Sequence, residues 1–545
     1  MLSLIGFLAI LGPLVVVHEL GHFLFAKLFN VKAEAFSIGF GPRLWSKQIG
    51  ETEWRVSAIP LGGYVKLLGE DPEAEVSVQD QARSLQRQKA WKRFFIFFGG
   101  PLFNFLFTIV IFMAILAIGE PQIASVAGRV VRGSAAERAG FHNGDKILSI
   151  NGQPMRKFEE VIQAVNDSPT KPMRFELERA TGGARSEVTV TPTEQDGFSV
   201  YGESTHVGEI EGLLGNPRAT TVGVSSPQSA AAKAGLKTGD QIATVNGTPV
   251  STWEAIETIV AGLAPGSEMK LGVKPVSGAE HVVTLTVPAS VTGPGLLADG
   301  LGLHSSELFV EKTMPKSPAE AAGLKTGDRM VAVGDQQFYS FFSLKDAVQR
   351  AGESQGKVHV KWERDGQMMT ADITPTATPG RDPLLKKTTQ YTVGFVPMLV
   401  WAEPSTITER IWNPFTLLFK GTERMAIFSY RNVVTLAKMV TGDVSVATLG
   451  GPILIGKLAG ESLSRGLISF LTMMAMLSVG LGVLNLLPVP VLDGGHLFLL
   501  GIESIRGKPL TIRQMEIVQQ VGLSLILLLM VIVMRNDLAR LTVFN

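Results

Sequence analysis

The stretch Leu14-Val15-Val16-Val17-His18-Glu19-Leu20-Gly21-His22-Phe23-Leu24-Phe25-Ala26 sets three ionisable side chains inside an apolar run reaching from Leu2 to about Phe29. A run of that length matches the ~20 apolar residues a helix needs to cross a bilayer. On a helix, residues four apart share a face, so His18 and His22 can present ring nitrogens to one metal with Glu19 beside them. In a soluble helix these histidines would read as ordinary surface or core residues. Here the Leu-Val-Val-Val and Phe-Leu-Phe-Ala flanks offer no solvated face. Ionisable groups in hydrocarbon are costly and by default mark a functional site facing the bundle interior.

His-Glu-x-x-His is the arrangement of zinc hydrolases, in which neutral imidazoles hold the metal and the carboxylate takes a proton from the attacking water. The chain has no cysteine, which excludes thiolate zinc sites and disulfide scaffolds, and only eight histidines. Its 545 residues suffice for several domains. Hydrophobics make up 45% of them and mean hydropathy is +0.23, the balance of a membrane portion joined to soluble modules. A net charge of +1 gives no global basic field for nucleic acid.

Further apolar runs lie at Phe94–Gly119, Gly466–Leu492 and about Val518–Met534, giving four transmembrane helices. Met1-Leu2-Ser3-Leu4 has no basic residue and no small-residue cleavage site follows, so the first run reads as a retained span rather than a signal peptide. Residues 30–93 hold ten Lys or Arg, and the loop 494–514 holds Arg506, Lys508 and Arg513. These loops share a side, the cytoplasm by the positive-inside tendency, which puts the insert 120–465 and both termini outside. Within 36–67, aromatic and β-branched residues broken by Gly and Pro read as short strands at the membrane interface or lining the site. The charged residues 70–93 read as a solvated connector.

The insert contains a repeat. Ser134-Ala-Ala-Glu-Arg-Ala-Gly140 with Gly144-Asp145, Ser229-Ala-Ala-Ala-Lys-Ala-Gly235 with Gly239-Asp240, and Ser317-Pro-Ala-Glu-Ala-Ala-Gly323 with Gly327-Asp328 recur at nearly constant distance. Each continues through a helix-like stretch, a Gly-containing turn and a closing strand ending near Pro192, Pro288 or Pro375. Each copy resembles a PDZ domain, a small α+β module that adds a peptide strand to a sheet edge. The Gly/Pro-rich stretch 288–302 reads as a linker. The third copy lacks the Asn-Gly turn of the other two, and any copy could instead serve as a spacer.

After the repeats, Met425–Val440 is apolar but carries Arg431 and Lys438, which suits a helix lying at the interface. Leu449–Gly456 reads as irregular, Gly-rich chain. Catalytic zinc takes three protein ligands and a water, so two histidines leave one vacancy. The third run ends in Asn485-Leu-Leu-Pro-Val-Pro-Val-Leu-Asp493-Gly494-Gly495-His496, on the cytoplasmic side that also holds His18 and His22. Its prolines open the helix near membrane depth, tolerated only where freed backbone lines protein or a wet cavity. Asp493 can then reach the metal; His496 is the runner-up.

His18–His22 in the first span, Gly99-Gly100-Pro101-Leu-Phe-Asn104 in the second, the PDZ-like insert, Thr441-Gly-Asp-Val with Gly451-Pro452-Ile453, and Asn485-x-x-Pro-x-Pro-x-Leu-Asp493-Gly together resemble the bacterial site-2 proteases along the whole chain. The resemblance implies a polytopic α-helical membrane protein with four transmembrane helices, a membrane-associated β-loop and tandem α+β PDZ domains. It implies one Zn2+ per chain on His18, His22 and Asp493, with Glu19 as base. Asn485 and Asn104 are implied substrate contacts, and Ile59, Gly62, Gly63 and Tyr64 of the β-loop offer the substrate an edge strand. The implied partners are single-pass membrane substrates such as anti-sigma factors and remnant signal peptides, with truncated periplasmic ends at the PDZ domains. The implied location is the bacterial inner membrane, with those domains periplasmic and the active site near the cytoplasm.

The corresponding division is 1–29 first span, 30–93 β-loop and connector, 94–119 second span, and PDZ-like segments 120–200, 201–295 and 296–380. A linker and interfacial helix (381–465), third span (466–493), cytoplasmic loop (494–514), and fourth span with tail (515–545) follow. The chain departs from the family in carrying three PDZ-like copies rather than two, and Gly480 where some relatives have asparagine. The alternatives are a catalytically idle PDZ membrane scaffold and a membrane-anchored protease of soluble substrates.

Overall fold

The structure, a computed structural model, describes residues 2–70, 76–180, 182–198, 203–289, 295–381, 387–444, 446–508 and 510–543. It divides into two compact units, residues 1–120 with 408–545, and residues 121–407.

The first unit is built on helices. Among the described residues, four helices are long and apolar enough to cross a membrane: α1 (Leu2–Leu28), α2 (Ala90–Ile118), α5 (Leu467–Asn485) and, within it, Arg513–Arg540 of α7 (Ile512–Val543). Between α1 and α2 run strands β1 (Ala33–Ile49) and β2 (Thr52–Leu67). They are longer than the short strands the sequence suggests, and they fold over on themselves. Residues 43–49 pair with 52–57, while residues 35–38 pair on one side with 53–56 and on the other with 63–66. The effective order is therefore 43–49, 52–57, 33–38, 63–67, which leaves 63–67 at an edge and 53–57 inside. The connector is more than a solvated link: Leu85 is buried with Ala33, Phe36 and Ile96, and Lys32 pairs with Asp80 at 2.8 Å. Its residues 71–75 lie outside the described residues.

Helix α3 (Pro414–Val440) begins well before Met425, because Asn413 caps it by accepting from Phe415 N (2.9 Å) and Thr416 N (3.2 Å), with Pro414 at the first turn. Of Leu449–Gly456, read as irregular, Leu449–Gly451 is so, while Pro452–Gly456 opens helix α4 (Pro452–Ser464). Its glycines serve close packing rather than breakage: a Cβ on Gly460 would stand 2.8 Å from Ser3 Cα in α1, and one on Gly6 equally near the Ala459 carbonyl carbon. Asp537 of α7 caps α4, accepting from Gly451 N (2.9 Å), Ile453 N (2.9 Å) and Leu454 N (3.1 Å).

The second unit contains three repeats of one plan. In each, a Ser N-cap (Ser134, Ser229, Ser317) starts a short helix. An aspartate then closes the following turn, accepting from the residue three before it: His142 N to Asp145 at 2.8 Å, Lys237 N to Asp240 at 2.9 Å, Lys325 N to Asp328 at 2.8 Å. A four-stranded sheet and one longer helix enclose a separate core in each repeat. Asn151 and Asn246 take positive φ in the hairpin turns, as Asn-Gly turns require. In the third repeat Gly334, at φ 60, supplies that conformation.

Every repeat closes by pairing its first strand with a late one: 129–130 with 213–214, 222–224 with 303–305, and 310–313 with 395–397. The boundaries at 200, 295 and 380 therefore fall short, since strands of two to four residues carry no readable period. The stretch 288–302 is not a free linker. Its residues 290–294 lie outside the described residues, but Leu296, Leu297 and Leu301 are buried in the second core.

The repeats meet at a buried charge cluster. Arg129 donates to Glu307 through Nη1 (3.0 Å) and Nη2 (2.6 Å), with side chains 1% and 2% exposed. Glu307 also accepts from Phe341 N (2.8 Å), and Arg218 pairs with Glu254 (2.8 Å) and Glu257 (3.2 Å). Burial and the neighbouring Arg218 lower the Arg129 pKa. Burial raises that of Glu254 against the pull of Arg218.

Candidate metal centre

The centre forms where α1 crosses α2. A Cβ on Gly99 would stand 2.7 Å from Gly21 O, and one on Gly100 would stand 2.6 Å from His18 Cε1 and 2.7 Å from His22 Cε1. Glycine is needed there because the backbone of α2 runs against the imidazoles themselves. His22 Nδ1 lies 2.8 Å from Ile96 O. A carbonyl only accepts, so Nδ1 carries the proton and Nε2 is left free for a metal.

Asp493 opens helix α6 (Asp493–Arg506), and the loop from Leu486 folds back tightly to bring it in. A Cβ on Gly495 would stand 2.8 Å from Pro490 Cα. Val491 has φ +84, a conformation costing a β-branched residue about 1–3 kcal/mol. The outcome is a triangle of side chains. His18 Nε2 and His22 Nε2 are 3.3 Å apart, His18 Nε2 is 3.2 Å from Asp493 Oδ2, and His22 Nε2 is 3.4 Å from Asp493 Oδ1.

That spacing tests the fit of a metal. A tetrahedral ion with bonds of about 2.0–2.1 Å separates its ligand atoms by roughly 1.63 bond lengths, about 3.3–3.4 Å. The imidazole pair at 3.3 Å, and each imidazole with its own carboxylate oxygen, Oδ2 at 3.2 Å from His18 and Oδ1 at 3.4 Å from His22, match that separation. Asp493 Oδ2 is also buried without a hydrogen bond, as an oxygen awaiting a cation would be. Among the described residues, this is the group of three able to hold a metal ion.

The sequence of residues 6–529 matches the description "Peptidase family M50". The chain belongs to peptidase family M50. A protein of Neisseria meningitidis provisionally named zinc metalloprotease is 31% identical over 547 residues. "Protease RseP" of Yersinia pestis is 28% identical over 558 residues, and "Regulator of sigma-E protease RseP" of Escherichia coli 27% over 549. Each alignment covers 99% of both chains. Among solved structures, a PDZ domain protein from Parabacteroides distasonis is 12% identical over 50% of this chain and 98% of its own, at a TM-score of 0.13, too low to bear on the fold. This M50 peptidase is a site-2-type zinc metalloprotease, which sets aside the idle scaffold.

The other expected site residues fall in three places. Asn485 closes α5 with Nδ2 3.5 Å from His18 Nε2, inside the centre. Gly63 passes beside Glu19: its Cβ would stand 3.2 Å from Glu19 Cγ and 2.9 Å from Val15 Cγ1, while Tyr64 follows on the edge strand and accepts from Arg55 Nη1 at 3.1 Å. Ile59 and Gly62 lie at the bend against Phe40. Asn104 and His496 are elsewhere. Asn104 is 0% exposed with its amide 3.1 Å from His18 Nδ1, so in this structure it faces the far side of that ring rather than the side shared with His22 and Asp493. His496 stacks on Phe97 at 4.7 Å rather than joining the triangle. The tight fit of Gly100, the Ile96 carbonyl and the bent Val491 are not predicted from the sequence; Gly-Gly-Pro inside an apolar helix is the local signal for the first, and Pro488 and Pro490 signal only an opened helix near Val491.

Proposed function

We propose that this M50 peptidase hydrolyses peptide bonds within transmembrane segments of single-pass proteins, with His18, His22 and Asp493 holding one zinc and Glu19 as general base. The observation that carries the reading is the meeting of three side chains, His18 and His22 from an apolar helix long enough to cross a membrane and Asp493 from the turn after another, with facing N and O atoms 3.2–3.4 Å apart. The chemistry a bound zinc supplies is Lewis acidity toward water and toward the scissile carbonyl. Glu19 takes the proton of the attacking water and passes it to the leaving amine, and Asn485 Nδ2 donates to the developing oxyanion.

A helical substrate hides its carbonyls in its own hydrogen bonds, and freeing them in lipid leaves costly unpaired groups. The edge strand 63–67 beside Glu19 can take those groups up by β-augmentation, with Gly63 and Tyr64 at the centre and Ile59 and Gly62 at the bend. The sigma-E name of the Escherichia coli relative supports anti-sigma factors as substrates, and remnant signal peptides share the required single span. Lysines and arginines in 30–93 and 494–514 support an inner-membrane protein with its active site near the cytoplasm and the repeats periplasmic. There one or two of the three repeats act as PDZ-like receptors for truncated substrate ends, and the others are spacers.

Purified full-length protein with a model transmembrane substrate tests this. Cleavage is expected to stop with a zinc chelator, and Glu19→Gln should keep zinc yet lose about 10²–10⁴-fold in rate. A Glu19→Gln variant cutting at the wild-type rate refutes the assignment.

A further inference from the structure

We propose that Asn104 is a positioning residue for the metal, fixing the His18 ring in the tautomer that leaves Nε2 free; the inference rests on reading His18 as a ligand. The Nε2 side of His18 faces His22 and Asp493, and the Nδ1 side faces the Asn104 amide at 3.1 Å. A neutral imidazole that ligates through Nε2 carries its single proton on Nδ1 and needs an acceptor there. The oxygen and nitrogen of an amide share one shape, so partner chemistry decides which faces the ring. With Oδ1 toward His18, Nδ1–H donates to it. Asn104 Oδ1, buried without a partner as placed, then accepts from the ring, and Nδ2 takes the position that Oδ1 leaves.

The amide is held where this requires. The Asn104 carbonyl accepts from Thr108 Oγ1 and from Ser478 Oγ of α5, both at 2.9 Å, so two helices fix this turn of α2. A fully buried amide in a span fit for lipid is costly without such partners. The two imidazoles are thus oriented by different acceptors, His22 by the Ile96 carbonyl and His18 by a side chain that mutation can remove.

The test is zinc affinity of the full-length protein, by competition with a chromogenic chelator, with the absorption spectrum of the cobalt-loaded form and thermal unfolding alongside. Asn104→Leu, near in shape but without an acceptor, should bind zinc about 10–100-fold more weakly and shift the cobalt bands. Asn104→Asp keeps an acceptor in place and should stay within about 3-fold of wild type or bind more tightly, a margin set against that 10–100-fold loss. Wild-type affinity and cobalt spectrum in Asn104→Leu would overturn the proposal. So would a tenfold or greater loss in Asn104→Asp, a result that stands even if Asn104→Leu does not fold. A substrate-contact role instead predicts a raised KM at unchanged zinc affinity. His18→Ala separates the two levels: unchanged zinc binding there removes the ligand reading itself, whereas loss there with full binding in Asn104→Leu removes only the role of Asn104.

Discussion

Replacing Gly100 by alanine puts one methyl group where α2 meets the imidazoles. Its Cβ would stand 2.6 Å from His18 Cε1 and 2.7 Å from His22 Cε1, against about 3.5–4.0 Å for carbon atoms in contact. The overlap is about 1 Å on both rings, and the neighbouring Gly99 and Gly21 backbones leave α2 no room to tilt. Zinc ligand distances tolerate only about 0.2 Å, so at least one imidazole leaves the metal. Loss of an outer hydrogen bond costs about 10–100-fold in affinity, and loss of a ligand exceeds that. Gly100→Ala should therefore bind zinc more than about 100-fold more weakly, while overpacking costs about 1–3 kcal/mol of stability. Gly12→Ala in α1 is the control, because nothing lies within 4 Å of its Cβ. The assay is zinc content and chelator competition on detergent-purified protein, with cleavage of a transmembrane substrate. A Gly100→Ala protein that holds zinc as tightly as the wild type would refute the packing argument and the placement of the metal with it.

Two predictions concern the repeats. Glu307→Ala leaves Arg129 buried without its partner and should cost about 3–5 kcal/mol, read as a lower midpoint in thermal unfolding; an unchanged midpoint would deny the cluster a structural role. His304 has its pKa lowered to about 3 by burial and by Arg329, so it folds neutral. Its unfolded value is near 6.5, so the stability it lends is complete above that pH and is lost as pH falls toward 3, by up to about 1.4 kcal/mol per pH unit. His304→Gln should flatten unfolding midpoints across that interval, and an unaltered slope would assign the effect to other groups.

The features legible in the sequence are those that local periodicity encodes. The i, i+4 spacing of His18 and His22 fixes a shared helix face, four apolar runs give helices long enough to span, and recurring Ser-x-Ala and Gly-Asp groups expose the repeats. Asp493 was reachable because zinc chemistry requires a third ligand and the chain offers few candidates. Asn104 enters through the resemblance alone, as a substrate contact, because its partner His18 is 86 residues away and spacing carries no information about that contact. The same holds for Glu307 with Arg129, and for Asp537 capping α4. The folding of residues 33–67 into a four-strand order was hidden because one segment, 35–38, pairs on both sides, which no alternation pattern announces.

The centre carries costs that packing alone does not explain. Val491 at positive φ costs about 1–3 kcal/mol, and a buried carboxylate oxygen without a hydrogen bond costs a similar amount or more. Against a total stability of about 5–15 kcal/mol these are large, and apolar residues in the same places would remove them. Gly99 and Gly100 add a further loss, since glycine inside a helix is about 1 kcal/mol worse than alanine. What the four features share is direction: Gly99 admits the Gly21 backbone of α1, Gly100 admits the imidazoles, the bend at Val491 delivers Asp493, and the open oxygen faces His18. Strain, a buried oxygen without a hydrogen bond and missing side chains converge on one point between two histidines, and a cation held there would offset them together.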